Sequence, residues 1–98
     1  MTSYVGKKVL VRGIESGVYF GTLEARDGKE VELKDVRNLW WWNGANTLLD
    51  LAENGARKEN DCRFSNKVDS IILTDICELV PCSDKAIKNI EGVAEWTY

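Results

Sequence analysis

Three consecutive tryptophans, Trp40, Trp41 and Trp42, constrain the fold of this chain more than any other feature. In an extended strand successive side chains point to opposite faces, so Trp41 is expected on one face and Trp40 and Trp42 on the other. A hydrophobic core can cover one of these faces. The other face needs a helix, a second subunit or a ligand with a flat apolar surface.

The length and composition predict one small domain over residues 1–98. The chain is 44% hydrophobic and 30% charged, which is ordinary for a globular protein. It can bury a single core of modest size. Four tryptophans in so short a chain give more apolar surface than a small sheet easily covers, and this favours a homo-oligomer.

The charge balance and the apolar pattern limit the partners. A net charge of −3 speaks against binding to duplex DNA, which requires a basic surface. No apolar stretch approaches the ~18 residues of a membrane span, and residues 1–4 do not resemble the start of a secretion signal. Three cysteines without any histidine are interpreted as reduced packing thiols. We therefore expect a cytoplasmic protein.

A tight hairpin is the most distinct local signal. Asp27-Gly28 supplies the positive φ angles that short hairpins need, and it lies between alternating stretches at 18–25 and 30–36. Gly21 within the first stretch predicts a bend or a close backbone approach. Further strands are predicted over 7–12, 39–42, 62–65, 71–74 and 76–80, with a turn or bulge over 35–38.

Two short helices complete the prediction. The first covers 45–54, begins at an Asn43 or Asn46 cap and ends at Gly55. The second covers 84–91, with Ser83 as its cap and Gly92 at its end, and a tail over 93–98 follows. The fold class expected is mainly β (α+β): a small, strongly curved antiparallel sheet or an SH3/Sm-like barrel with two short helices.

Part of the chain resembles Sm-like and SH3-like barrels. Residues 18–28 and 31–36 look like the first motif of those barrels, and residues 76–81 are similar to the last strand of the Sm-like bacterial RNA chaperone. This resemblance implies a single-stranded nucleic-acid-binding module. The Lys/His motif with which that family contacts RNA is missing here, so RNA chaperone activity does not carry over.

The whole chain resembles a group of small phage and prophage proteins of unknown function. The shared pattern comprises Val-Arg at 11–12, Gly-x-x-x-Gly at 17–21, Arg-Asp-Gly-Lys-Glu at 26–30, an aromatic run leading to Gly-Ala-Asn-Thr-Leu over 40–48, and Pro-Cys at 81–82. The resemblance implies a protein made in the host bacterial cytoplasm during infection, where small phage proteins often blunt host defence.

The residue types present argue against catalysis. The chain has no histidine, which excludes Ser/His and Cys/His nucleophile–base pairs. It has no phosphate loop, dinucleotide fingerprint or metal-ligand spacing. The sequence therefore predicts a protein that is not an enzyme and has no cofactor.

Binding of a small anionic, nucleotide-like ligand is the functional hypothesis. A tryptophan ring can stack on a base, and an arginine fork can hold a phosphate. Arg37 lies three residues before Trp40, close enough to belong to the same site. The candidate ligand-binding residues are Arg12, Arg37, Asn38, Trp40, Trp42, Asn43 and Arg63.

The hypothesis in full is sequestration of a nucleotide-derived immune signal, which would silence a host defence pathway. Tight binding without turnover fits the absence of catalytic residues. The alternatives are a protein–protein inhibitor of a host factor that uses the tryptophans as anchors, a single-stranded nucleic-acid-binding Sm-like module, or a structural module of a virion.

Overall fold

The computed structural model describes residues 1–97, which form a six-stranded antiparallel sheet and two α-helices. The strands are β1 (Lys8–Gly13), β2 (Gly17–Asp27), β3 (Glu30–Trp41), β4 (Arg63–Phe64), β5 (Val68–Leu73) and β6 (Ile76–Pro81). The helices are α1 (Leu48–Asn54) and α2 (Asp84–Gly92), and a single 3₁₀ turn covers Glu59–Asp61. The predicted mainly β, α+β fold with two short helices is confirmed. Tyr98, the last residue of the predicted tail, lies outside the described residues.

The sheet is organised around the long strand β3. The order runs β6–β1–β2–β3, and the far side of β3 is shared by two strands. β5 pairs with its first half, over 31–36, and β4 pairs with its last residues, 39–41. Within residues 1–97 the sheet does not close on itself, so the curved open sheet describes this fold and the closed barrel does not.

The predicted hairpin joins β2 and β3. Asp27 pairs with Glu30, and Gly28 takes the positive φ of 58° that the turn requires. Gly21 marks a close backbone approach, because a Cβ there would lie 2.8 Å from the carbonyl oxygen of Lys34. The β2–β3 register shifts across Gly21, between Phe20 and Thr22, and such an irregularity bends a strand.

A turn or a bulge is predicted over 35–38, and the structure has the bulge, which does not end the strand. Between the pairs Thr22–Lys34 and Phe20–Arg37, β3 advances three residues while β2 advances two. Asp35 adopts a φ of 51°, a left-handed conformation that Asp tolerates better than most residues. The irregular backbone conformation is confined to Asp35, and pairing with β2 resumes at Arg37 and Asn38. As a result β3 continues into the tryptophan run as one strand, where the sequence predicted two.

Both faces of the sheet are covered, as β1 illustrates. Leu10 belongs to a core cluster between the sheet and the helices, which also contains Phe20, Leu39 and Phe64. Its neighbours Val9 and Val11 belong to a second cluster inside the curve of the sheet, with Leu23, Val31, Leu33, Val36, Leu73 and Ile76. All three β1 residues are 0% exposed. Strand β1 therefore contributes to both layers, as β2 and β3 also do.

The helix boundaries follow local capping. Thr47 caps α1 by accepting a hydrogen bond from the Asp50 amide, which corrects the predicted start at Asn43 or Asn46. Ser83 caps α2 and Gly55 follows α1, both as predicted. In the described part of the chain, neither helix has the length and apolarity to cross a membrane.

Candidate functional site

A β-bulge at Trp40 determines how the tryptophan run is presented. Leu39 pairs with Phe64 and Trp41 pairs with Arg63, so two residues of β3 advance while β4 advances by one. A bulge of this kind re-aims side chains and interrupts the alternation of faces. The predicted separation of Trp41 from Trp40 and Trp42 therefore does not describe this run.

The three consecutive tryptophans are buried to different extents. Trp40 and Trp41 are 46% and 57% exposed, which is high for side chains of this size. Trp42 follows the end of β3 and packs against the core cluster beneath the helices. Trp40 and Trp41 are therefore available to a ligand or partner, whereas Trp42 contributes mainly to the core.

The fourth tryptophan joins this surface from the end of the chain. The Trp96 amide donates to the Phe64 carbonyl oxygen at 3.0 Å, and Glu95 forms a parallel bridge with Phe64. The Trp96 ring meets the Trp40 ring edge-on, with centroids 5.8 Å apart, and the Arg63 guanidinium lies 4.9 Å from the Trp96 ring centroid. We call Trp40, Trp41, Trp96 and Arg63 the tryptophan surface.

Arg37 holds the segment that carries Trp96. It is only 6% exposed. Its Nε donates to the Ser65 carbonyl oxygen, and its Nη1 donates to the carbonyl oxygens of Ile90 and Val93, each at 2.8 Å. Burial lowers the pKa of Arg37, and the nearby Glu95 carboxylate opposes that shift. The guanidinium predicted to bind phosphate is therefore engaged in fastening α2 and the tail to β3.

A cavity of about 250 Å³ lies beside the tryptophan surface. Aromatic, amide and charged side chains share its wall: Trp41, Asn43, Asn60, Asp61, Cys62, Arg63 and Trp96. Ligand pockets for drug-sized molecules start at ~300 Å³. This cavity therefore has room for one planar ring system, with the remainder of a larger ligand lying over the surface.

Three polar side chains of this cavity have no hydrogen-bond or ion-pair partner among residues 1–97. The side chains of Asn43, Asn60 and Asp61 make no hydrogen bond or ion pair with another residue of 1–97. The Arg63 guanidinium contacts Trp96 but has no acidic partner among those residues. Two amides, one carboxylate and one guanidinium are thus available to a ligand.

The loop that carries Asn60 and Asp61 is fixed from both sides. Its backbone amide at Lys58 donates to the Asn43 carbonyl oxygen at 3.3 Å. The Arg57 guanidinium makes two hydrogen bonds to the Asp50 carboxylate, at 2.9 and 3.1 Å. The Asn89 amide on α2 donates to the Glu59 carboxylate at 2.9 Å. These contacts give the cavity a defined wall before any ligand binds.

Cys62 in this wall is suited to packing and not to nucleophilic chemistry. It is buried, and burial raises the pKa of its thiol above the ordinary value. A thiol that stays protonated is a poor nucleophile. The cavity therefore offers recognition groups without a reactive one at this position.

The predicted site residues divide into two groups. Trp40, Asn43 and Arg63 lie at the tryptophan surface or its cavity. Arg12 lies on β1, separated from β3 by β2, and its Nε donates to Glu78 at 2.7 Å. The Asn38 side chain donates to the Val18 carbonyl oxygen inside the sheet. The second group, whose side chains have structural roles, therefore comprises Arg12, Arg37, Asn38 and Trp42.

Sequence reasoning missed four residues of the site. Trp41 was assigned to the opposite face because the bulge was not foreseen. Asn60 and Asp61 lie between the predicted helix over 45–54 and the predicted strand over 62–65, where no sequence pattern singles them out. Trp96 lies in the predicted tail over 93–98, and an isolated aromatic residue in a tail is the signal that could have pointed to its role.

A second cavity, of about 370 Å³, lies around Arg37 on the α2 side. Its basic residues are Lys8, Arg37 and Lys67, and its acidic residues are Asp35, Glu91 and Glu95. The opposite charges balance, as Asp61 and Arg63 do in the first cavity, and Lys8 lies 3.6 Å from Glu91. Net charge therefore does not distinguish the two cavities. The exposed tryptophan rings do, since Phe20, the only aromatic residue of 1–97 that lines the second cavity, is buried, and they make the tryptophan surface the better candidate.

The fold and the site together define a small antiparallel α+β domain with a preformed aromatic surface. The chain belongs to the family described as a domain of unknown function, DUF6948, whose model matches residues 6–90. The matched range includes Trp40, Trp41 and Arg63 and ends before Trp96. The search of curated proteins gave no match.

Proposed function

We propose that this protein binds, without turnover, a small anionic molecule that contains a base, and that the binding site is the tryptophan surface. The observation that carries the proposal is the exposure of two adjacent indoles, Trp40 and Trp41, beside Trp96 and Arg63. Folded proteins seldom leave such large rings exposed side by side without a binding role.

The physical basis is stacking combined with charge. Stacking of a base on an aromatic side chain is worth ~1–3 kcal/mol. Arg63 supplies a planar cation that has no acidic partner within residues 1–97, so its fork remains available for phosphate oxygens. The chain has no histidine, which supports binding without catalysis.

The biological role we propose is sequestration of a nucleotide-derived immune signal in the cytoplasm of a bacterial host. The resemblance to small phage and prophage proteins supports this setting. A sequestering protein must bind tightly and release slowly, and it needs no catalytic group. A preformed aromatic surface favours such binding because less conformational entropy is lost when the ligand arrives.

We also propose that copies of the chain associate and share the ligand. A cavity of about 250 Å³ covers only part of a nucleotide, and a second copy would enclose the rest. Light scattering at micromolar concentration tests this idea. A mass of twice 11.1 kDa or more supports it, and a stable mass of 11.1 kDa both with and without ligand would exclude it.

The test of ligand binding is isothermal titration calorimetry with a panel of linear and cyclic nucleotides. We expect binding by the wild-type protein and weaker binding by Trp41→Ala and Arg63→Ala. Arg12→Ala is the matched control, because it removes an arginine that is paired with Glu78 on the other side of β2. Absence of binding to every nucleotide would reject the proposal.

A protein partner is the second candidate, and the composition of the surface favours it specifically. Tryptophan and arginine are the residue types most enriched at the energetic centres of protein interfaces. An inhibitor of a host protein would lose its effect with Trp41→Ala while the wild type showed no heat of binding with any nucleotide. That pair of results would move the protein–protein role to first place.

A further inference from the structure

We infer that the base recognised at the tryptophan surface is guanine, and that the Asp61 carboxylate reads it. This inference rests on the proposed function and specifies its ligand class. It arises from an apparent conflict in the cavity, where an acidic side chain lies in a site proposed for an anion.

The conflict concerns Asp61 and Arg63, which line the same cavity. Asp61 is exposed and has no cationic partner among residues 1–97. An unpaired carboxylate would repel a phosphate group that approached it. The two charges are compatible with one nucleotide if the phosphate lies toward Arg63 and the base edge lies toward Asp61.

The chemistry of a carboxylate determines which base can use it. An ionised carboxylate only accepts hydrogen bonds, through two oxygens side by side. Guanine carries two neighbouring donors on its Watson–Crick edge, N1–H and the N2 amino group. Adenine and cytosine each place an acceptor nitrogen next to their amino group, and uracil has one N–H between two carbonyls. Among the common bases, guanine alone matches both carboxylate oxygens.

The amides in the same wall complement the rest of the guanine ring. Asn43 and Asn60 line the cavity together with Asp61, and neither side chain is hydrogen-bonded to another described residue. Their NH₂ groups can donate to O6 or N7, the acceptors that guanine presents. Trp41 and Trp96 in the same wall provide the flat apolar surface against which the ring lies.

The experiment compares GMP, IMP and AMP by calorimetry with the wild type and with Asp61→Asn. IMP keeps N1–H but lacks the N2 amino group, so it isolates one of the two contacts. For the wild type we expect GMP to bind about tenfold more tightly than AMP, with IMP between them. Asp61→Asn should remove most of the preference for GMP while AMP binding is retained.

Asp69→Asn is the matched control, since Asp69 is an exposed acid on β5 outside the cavity. It should keep the wild-type preference, and thermal denaturation should show that both variants are folded. Asn60→Ala gives a second measure of guanine selectivity that does not change the charge. Weaker discrimination in that variant would support the assignment.

The possible results distinguish a failure of guanine recognition from a failure of the proposed nucleotide binding. Equal binding of all three nucleotides, or an unchanged preference in Asp61→Asn, would overturn guanine recognition and leave nucleotide binding intact. If none of the three binds while other nucleotides do, guanine recognition likewise fails. If no nucleotide of any kind binds, the proposed function fails and this inference fails with it.

Discussion

The rings of Trp40 and Trp96 meet edge to face, with their centroids 5.8 Å apart and their planes at 89°. One ring comes from the bulge in β3 and the other from the segment after α2. Such pairs contribute ~0.5–1.5 kcal/mol beyond the area they bury. The tryptophan surface is therefore assembled by the tertiary fold, and conditions that loosen the α2 segment should also weaken the ligand binding that we propose.

Replacement of Trp41 by alanine should separate binding from stability. Because the side chain is 57% exposed, the free energy of unfolding should change by less than ~1 kcal/mol. Nucleotide affinity should fall about tenfold to a hundredfold through the loss of stacking. Calorimetry and chemical denaturation measure the two quantities. Ile72→Ala, which removes another exposed apolar side chain on β5, should leave the affinity unchanged.

Replacement of Arg37 by alanine should destabilise the protein by about 3 kcal/mol or more, because three carbonyl oxygens lose their donor. Arg37→Lys should restore only part of this, since an ammonium cannot reproduce the planar fork. Urea denaturation measures the loss, and near-ultraviolet circular dichroism follows the environment of Trp96. A denaturation midpoint for Arg37→Ala as high as that of Arg12→Ala would contradict the structural role.

The Asp50–Arg57 pair should make the stability depend on acid pH. Three groups donate hydrogen bonds to the Asp50 carboxylate: the Arg57 guanidinium, the backbone N–H of Asn46 and the side-chain amide of Asn54. They hold the pKa of the Asp50 carboxyl well below its ordinary value. The unfolded chain therefore binds this proton more readily than the folded chain does. The contribution of Asp50 should be fully present above the unfolded pKa of about 4, and it should be lost as the pH falls through the lower folded pKa.

The measurement is the difference in melting temperature between the wild type and Asp50→Asn as a function of pH. We expect a constant deficit in the variant at neutral pH and a shrinking deficit below about pH 4. Asp84→Asn is a useful control, since Asp84 also lies in the first turn of a helix but has no ion-pair partner among residues 1–97. A deficit that stays constant down to pH 2 would argue against the assignment.

The three thiols should react at different rates. Cys77 is exposed, whereas burial raises the pKa of Cys82 to about 12 and also raises the pKa of Cys62. Since the thiolate is the reactive form, a disulfide reagent at pH 8 should modify one thiol of the native protein rapidly. Cys77→Ser should abolish that fast phase, and denaturant should make the remaining thiols reactive. Two rapid equivalents in the native wild type would be inconsistent with this burial.

The features predicted correctly from the sequence are those fixed by neighbouring residues. The hairpin at Asp27-Gly28 needs only a glycine that accepts positive φ, Gly28, and alternating residues on both sides. The Ser83 cap and the close approach at Gly21 likewise follow from local chemistry. These signals were sufficient for the antiparallel sheet and the two short helices.

The features that could not be predicted depend on partners distant in the chain. Arg37 can be buried because it donates hydrogen bonds to the carbonyl groups of Ser65, Ile90 and Val93. The residues next to Arg37 in the sequence give no indication of these distant partners. The bulge at Trp40 likewise exists only in relation to the register of β4. For this reason the sequence identifies the tryptophan run as the constraining feature, whereas the division of its rings between core and surface depends on distant contacts.

The position of strand β1 predicts how this protein unfolds. Its residues belong to both core clusters, Leu10 on one side and Val9 and Val11 on the other. A fluctuation that detaches the helices and one that uncurls the sheet would each uncover the same strand, so the two layers are expected to melt together as one cooperative unit. In a hydrogen-exchange experiment, the amides of β1 should be among the last to exchange, with a protection close to that of global unfolding.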